Sequence, residues 1–110
     1  MYVWLDDVRP APEGFVWAKN AFYAIELIKS RKVKFISFDH DLGGDDEETL
    51  YKNNGYAVAC EIERLAHDNK IEPIAYEIHS ANPVGRMRID FAMRSAQRYW
   101  ETYTGDWGKA

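Results

Sequence analysis

The strongest constraint on the fold is that three short apolar runs each end in acidic or histidine residues. The runs are Tyr2–Leu5 before Asp6 and Asp7, Val33–Phe38 before Asp39, His40 and Asp41, and Ile74–Ile78 before His79 and Ser80. Strands joined through helices lie parallel in one sheet, so their carboxyl ends meet at one edge. Like charges held that close repel each other unless a cation lies between them. The pattern therefore predicts a crevice for a divalent metal ion and an anionic ligand.

Composition narrows the class of protein. A chain of 110 residues, 46% of them hydrophobic, predicts a single domain over residues 1–110. The single cysteine, Cys60, excludes an internal disulfide and fits a cytoplasmic protein. We expect neither a membrane span nor a signal peptide, since the chain has no long uncharged apolar run and opens on a strand. The net charge of −4 argues against binding extended duplex nucleic acid, which needs a basic face, but not against a small phosphorylated ligand or an RNA end.

Hydrophobic periodicity and turn residues predict four strands and three helices. The expected strands cover residues 2–5, 15–19, 33–38 and 71–78, and the expected helices cover residues 21–31, 55–68 and a long final segment that begins at Pro83. Asn20 and Asn82 are the expected helix N-caps. Pro73 and Glu77 mark the fourth strand as an edge strand. We expect the acidic run 45–48 to form a solvated loop.

The element order β-β-α-β-α-β-α predicts a small three-layer α/β sandwich with a mostly parallel, four-stranded sheet. Right-handed crossovers give the strand order 2-1-3-4. This is a flavodoxin-like sheet whose first helix is reduced to a loop and whose fifth strand is absent. Its ligand crevice is expected where the order reverses, at the carboxyl ends of strands 1 and 3. Trp4 and Trp17 lie in strands, and we expect both in the core.

Three motifs resemble one family. The segments Leu5–Arg9, Asp39–Gly43 and His79–Gly85 are similar to those of the cyclic-phosphate-processing receiver-like domain, a branch of the receiver domains that is common in phages and bacteria. The resemblance spans nearly the whole chain. It implies a receiver-like fold and a phosphoesterase (hydrolase) that acts on the cyclic phosphate of a nucleotide or an RNA end, in RNA repair or in phage–host conflict. The chain departs from an ordinary receiver, because it shows no fifth strand with a terminal lysine.

The carboxylates at the strand ends are the candidate metal ligands. We expect Asp6, Asp7 and Asp39 to hold Mg²⁺ or Mn²⁺, because these ions prefer oxygen ligands. In a receiver, the position of Asp39 accepts a phosphoryl group. The alternative for Asp6 and Asp7 is a solvated turn that one of them caps. The sequence leaves open whether Asp41 is a site residue or part of an ordinary turn. Alternation along the strand turns His40 away from Asp39.

Residues His79 and Ser80 are, with Asp39, the candidate catalytic residues. A histidine can donate a proton to a leaving ribose oxygen or accept one from water. Ser80 is expected to bond a phosphate oxygen. The alternative for His79 is a structural hydrogen bond to a backbone carbonyl.

A phosphate site is expected at the start of the last helix. Free N–H groups and the helix dipole favour an anion there, and Asn82 and Arg86 lie close by in sequence. Arg9 is a further phosphate-binding candidate, and its alternative role is an ion pair with Asp6 or Asp41.

A second class of function stays open at this point. The domain is then a non-catalytic receiver-like module that binds or sequesters a phosphorylated ligand, or that is phosphorylated on Asp39. The missing lysine argues against phospho-signalling, whereas sequestration predicts tight binding without product. The sequence leaves the substrate and the oligomeric state open.

Overall fold

The computed structural model describes residues 1–43 and 52–102. Its strands are β1 (Tyr2–Leu5), β2 (Phe15–Ala18), β3 (Phe35–Phe38) and β4 (Ala75–Ile78), and its helices are α1 (Ala21–Lys29), α2 (Gly55–His67) and α3 (Pro83–Thr102). The strands form one sheet in the order β2-β1-β3-β4, and every neighbouring pair is parallel. The predicted strand order, the edge position of β4 and the long last helix are confirmed. The acidic run 45–48 lies outside the described residues.

Local signals placed most element ends correctly. The Asn20 side chain accepts the Tyr23 N–H at 2.8 Å, so α1 starts at the predicted cap. Helix α1 ends at Lys29, two residues earlier than expected, and Arg31 takes a left-handed conformation with φ of 65°. Strand β4 is shorter than expected, since it begins only at Ala75. Ile71 and Ile74, which were expected in the strand, are buried side chains of the preceding loop.

One face of the sheet packs against all the described helices. Val3, Leu5, Ile36 and Phe38 point to this face and are fully buried. Helix α1 packs against α2, and α2 packs against α3, so the helices form one layer. Right-handed crossovers that all move in one direction across the sheet place their helices on the same side. None of the helices in the described part of the chain is long and apolar enough to cross a bilayer.

The opposite face of the sheet differs from the prediction. It carries the rings of Tyr2, Trp4, Phe15 and Phe35, which contact one another and are only partly buried. Over residues 1–43 and 52–102 the fold therefore has two layers, not three, and Trp4 and Trp17 lie outside the buried core. The physical reason is that a loop joins β1 to β2 directly, so no crossover helix is laid over this face.

Candidate functional site

Asp6 is a buried carboxylate at the end of β1, with only 2% of its surface exposed. Its Oδ1 accepts the backbone N–H groups of Val8 at 2.8 Å and Arg9 at 2.7 Å. An aspartate that bonds the backbone two and three residues ahead stabilises a turn, which is how the chain leaves the strand here. The second oxygen, Oδ2, lies 3.0 Å from Nε2 of His79. Asp6 therefore caps the turn with one oxygen and presents the other to the site.

The surroundings of Asp6 favour its ionised form. Burial alone would raise the pKa of this carboxyl, but the hydrogen bonds from Arg9, Val8 and His79 together hold the pKa below its ordinary value. The result is a buried carboxylate that keeps its charge and has one oxygen directed at an imidazole.

His79 follows β4 directly, and three neighbours hold its ring. The imidazole stacks in parallel on the indole of Trp4, with ring centroids 3.9 Å apart. Its Nε2 faces Asp6, and its Nδ1 lies 2.8 Å from the hydroxyl oxygen of Ser37. Only 13% of the side chain is exposed. These partners are side chains, so the alternative of a bond to a backbone carbonyl does not describe this histidine.

A chain of hydrogen bonds continues from His79 to the edge of the sheet. The Ser37 hydroxyl donates to Oε1 of Glu77 at 2.9 Å, so Asp6, His79, Ser37 and Glu77 are joined by three contacts. The Ser37 hydroxyl gives its hydrogen to Glu77, so its oxygen is left to accept one from Nδ1 of His79. At Nε2, either a hydrogen or a metal ion can lie between the ring and Asp6.

Asp39 completes a cluster at the carboxyl ends of β1, β3 and β4. Its Oδ1 accepts the His40 N–H at 2.8 Å. Asp6, Asp39 and His79 each offer one atom, and these atoms lie within 4.8 Å of one another. Adjacent ligands on an octahedral ion with bonds of about 2.1 Å are about 3 Å apart, and opposite ligands are about 4.2 Å apart. The three residues could therefore hold one divalent ion if their side chains moved closer together.

The donor set differs from the predicted one in a single position. His79 stands in the cluster where the sequence predicted Asp7. A Cβ at Gly43 would lie 3.4 Å from Oδ2 of Asp7, so this carboxylate approaches the backbone after β3. The metal-binding role of Asp7 stays a prediction.

His40 and Asp41 form a separate contact at the start of α3. The His40 ring packs on Gly85, where an added Cβ would lie 2.3 Å from its Cγ. His40 Nδ1 lies 2.9 Å from Oδ1 of Asp41, and the Asn82 amide nitrogen lies 3.4 Å from both Asp41 oxygens. The hydrogen bond with His40 lowers the pKa of Asp41. Slight burial acts in the opposite direction, and the hydrogen bond with Asn82 lowers the pKa further. As alternation predicted, His40 packs against the helix and does not enter the cluster.

The predicted phosphate-binding residues also have structural partners. Asn82 is the N-cap of α3, because its Oδ1 accepts the Gly85 N–H at 3.0 Å. The buried hydroxyl of Ser80 accepts the Asn82 N–H at 3.1 Å. The Arg86 Nη1 donates to the carbonyls of Ile78 at 2.9 Å and Ser80 at 3.0 Å, along the open edge of β4. A phosphate-binding role for Ser80, Asn82 and Arg86 stays a prediction.

Arg9 enters the site through its backbone. Its N–H bonds Asp6, and its carbonyl accepts the indole N–H of Trp4 at 2.9 Å. The turn thereby links the ring that supports His79 to the carboxylate that faces it. Phosphate binding by the Arg9 guanidinium stays a prediction.

Sequence reasoning missed three residues of this site. These residues are Trp4, Ser37 and Glu77. Trp4 of β1 pairs with Ser37 of β3, and Ser37 pairs with Glu77 of β4, so the three lie side by side. The available signal was a serine in an otherwise apolar central strand. Side chains two residues apart in a strand share a face, so alternation along β4 could also have placed Glu77 on the same side of the sheet as His79.

Comparison with known proteins agrees with this architecture. Searches of curated proteins and of solved structures found no match. A protein-family model described as a cyclic-phosphate processing receiver domain matches residues 1–95, which is most of the chain and includes every residue of the candidate site. The chain therefore belongs to the cyclic-phosphate processing receiver domain family.

Proposed function

We propose that this protein is a divalent-metal-dependent phosphoesterase that opens the cyclic phosphate of a nucleotide or an RNA end. The observation that carries the proposal is the cluster of Asp6, Asp39 and His79 at the point where the strand order reverses. A buried, ionised carboxylate, a second carboxylate and an imidazole form an arrangement suited to binding a cation. Open α/β sheets bind their ligands at this edge.

In this proposal Asp6 and Asp39 hold the ion through oxygen, and His79 adds a nitrogen donor. A mixed oxygen and nitrogen set favours Mn²⁺ over Mg²⁺, which prefers oxygen ligands. When bound, the ion would stabilise charge on the phosphate and make a bound water a better nucleophile. The hydroxyl of Ser80 and the N–H groups at the start of α3 would hold phosphate oxygens.

The reaction consumes one water and no net proton. The water oxygen bonds to phosphorus and gives up one proton, the bond between phosphorus and one ribose oxygen breaks, and that ribose oxygen takes up one proton. Nε2 of His79, which lies 3.0 Å from Asp6 Oδ2, is placed where it could hold that proton. His79 therefore either carries the proton or binds the ion, and both roles use the same nitrogen.

The experiment measures Mn²⁺ affinity and hydrolysis separately. The substrates are 2′,3′-cyclic nucleotides, cyclic dinucleotides and an RNA with a cyclic phosphate end. Asp39→Asn should lower Mn²⁺ affinity by at least roughly 10-fold and abolish most turnover. The matched control is Glu72→Gln, an exposed carboxylate that pairs with Arg31 and should leave both values unchanged.

His79→Gln then separates the roles of the histidine. Turnover should fall by roughly 10²- to 10⁴-fold in either role, the usual contribution of a positioned proton donor. Lost Mn²⁺ affinity identifies a ligand, and retained affinity identifies a proton carrier. Tight binding of a cyclic phosphate by wild type without any opened product would replace the enzyme with a sequestering module. Wild type that neither binds Mn²⁺ nor acts on any substrate contradicts the proposal.

A further inference from the structure

We propose that Ser37 and Glu77 are positioning residues, which fix the orientation of His79 so that Nε2 faces Asp6 and Asp39. They touch neither the proposed ion nor the phosphate, and they act through the ring. The effect of Ser37 and Glu77 on catalysis rests on the proposed function. Their effect on the orientation of the His79 ring rests on the hydrogen bonds alone.

Trp4 fixes the plane of the imidazole. Trp4 stacks against it in parallel at 3.9 Å, and the Trp4 indole N–H is itself fixed by the carbonyl of Arg9. Stacking holds the plane of the ring but is nearly unchanged by a half turn about the Cβ–Cγ bond, which returns the ring to the same plane with its two edges exchanged. Trp4 therefore leaves open which edge of His79 faces Asp6.

Ser37 determines which edge of the ring faces Asp6. The Ser37 hydroxyl is fully buried and lies 2.8 Å from Nδ1 of His79, so the opposite edge of the ring, with Nε2, is turned to Asp6. If the ring flipped, carbon atoms would face both Ser37 and Asp6, and two buried polar partners would be lost. Such losses are costly in a buried site.

Glu77 sets the direction of the Ser37 hydrogen. A serine hydroxyl can donate to or accept from an imidazole nitrogen. Glu77 accepts the Ser37 hydrogen at 2.9 Å, which leaves the Ser37 oxygen to accept a hydrogen from Nδ1 of His79. Glu77 thus commits Nδ1 to a donor role, and Nε2 becomes the nitrogen that is available to an ion or a transferable proton. Histidines that bind metals are oriented by partners of this kind.

The test uses Ser37→Ala and Glu77→Gln, with Ser95→Ala as the matched control for loss of a buried hydroxyl away from the site. Ser37→Ala should lower kcat by roughly 10- to 100-fold with little change in KM, while circular dichroism shows an intact fold. Glu77→Gln keeps an acceptor oxygen and should be milder, and Glu77→Leu should approach Ser37→Ala. In the His79→Gln background, Ser37→Ala should have no further effect, because residues that act through one group are not additive.

A second measurement does not depend on turnover. Proton–nitrogen NMR of metal-free wild type should show a slowly exchanging Nδ1–H on His79, and Ser37→Ala should lose it while Ser95→Ala keeps it. If wild type shows no such proton, or if Ser37→Ala behaves like Ser95→Ala, Ser37 and Glu77 do not position the ring. If the NMR result holds and no substrate is turned over, the positioning stands and the proposed function fails.

Discussion

At the scale of single residues, the two carboxylates of the cluster are stabilised to different degrees. Asp6 has two backbone N–H groups and the His79 ring as partners. Within residues 1–43 and 52–102, the Asp39 side chain has one backbone N–H partner, that of His40. The fold therefore accommodates the charge of Asp6 by itself, whereas the charge of Asp39 adds to a site that already holds a carboxylate. An ion between them would remove this imbalance.

We predict opposite effects of Asp39→Asn on the metal-free and the metal-bound protein. Without metal, the variant should be more stable than wild type by about 1 kcal/mol, because repulsion with Asp6 is relieved. With excess Mn²⁺ the order should reverse, since an ion that binds only the folded state stabilises it by mass action. Thermal unfolding with and without Mn²⁺ measures both.

The control for this prediction is Asp41→Asn. Asp41 bonds His40 and has a lowered pKa, so its charge is favourable and its removal should not stabilise the fold. Metal-free Asp39→Asn that is no more stable than wild type would show that Asp39 and Asp6 do not repel each other.

The sequence was sufficient to find the residues that follow strands. Asp6, Asp39 and His79 each end an apolar run, and parallel strands bring such ends together whatever the details of packing. Ser37 and Glu77 lie inside strands, and their contact depends on the register of β3 against β4. Register is a tertiary property set by a whole face, so one chain alone did not reveal this contact.

At the scale of elements, glycines in the first turns of α2 and α3 allow close contact with the residues after β3. Gly55 opens α2, and its N–H donates to the His40 carbonyl at 2.8 Å. A Cβ at this position would lie 2.0 Å from the Asp39 carbonyl oxygen. No side chain fits this gap, so the approach of α2 to Asp39 requires glycine.

Gly55→Ala tests this contact. The added methyl meets backbone, which cannot turn away, so we expect a loss of about 1–3 kcal/mol in the free energy of unfolding. Asp39 should shift as well, so Mn²⁺ affinity should fall in the same variant. Chemical denaturation and metal titration measure the two effects.

Gly14→Ala is the comparison for this variant. Position 14 has open space but a φ of 88°, so only backbone strain of about 1 kcal/mol is expected, with Mn²⁺ affinity unchanged. If Gly55→Ala loses no more than Gly14→Ala and binds Mn²⁺ like wild type, α2 does not fix Asp39.

At the scale of the whole molecule, the order of the strands followed from the sequence but the number of layers did not. Alternating strands and helices with right-handed crossovers leave few topologies, and the order 2-1-3-4 is one of them. Layer number depends on whether a helix covers each face. The aromatic residues Tyr2, Phe15 and Phe35 are equally compatible with a buried face and with the partly exposed one that is observed.

Several ionisable groups shape the pH dependence of folding. Asp6 and Asp90 both have lowered pKa values. In Asp90 the main cause is the hydrogen bond from Tyr76, which outweighs the opposite effect of burial. A carboxyl with a lowered pKa stabilises the fold above its ordinary pKa of about 4, and that contribution is lost as the pH falls through the folded-state value. These groups therefore act on the acid side of the stability profile.

Tyr76 acts on the alkaline side and ties β4 to α3. Burial raises its pKa to about 12, aided by the hydrogen bond to Asp90 and by the charge of Asp90. The folded chain thus keeps this proton at pH values where the unfolded chain has lost it. Its contribution is complete below pH 10 and disappears as the pH rises to about 12.

We therefore predict that Tyr76→Phe removes part of the alkaline loss of stability. Between pH 9 and 12, the free energy of unfolding of wild type should fall by on the order of 2 kcal/mol more than that of the variant. This value follows from the rise of the Tyr76 pKa from 10.0 to about 12, reduced because the side chain is partly exposed. Denaturation at each pH measures the loss, and the ultraviolet absorbance of phenolate follows the ionisation directly. Tyr23→Phe, at an exposed tyrosine of α1, controls for the removal of a hydroxyl. Parallel stability curves for wild type and Tyr76→Phe over this range would show that Asp90 and burial do not hold the Tyr76 proton.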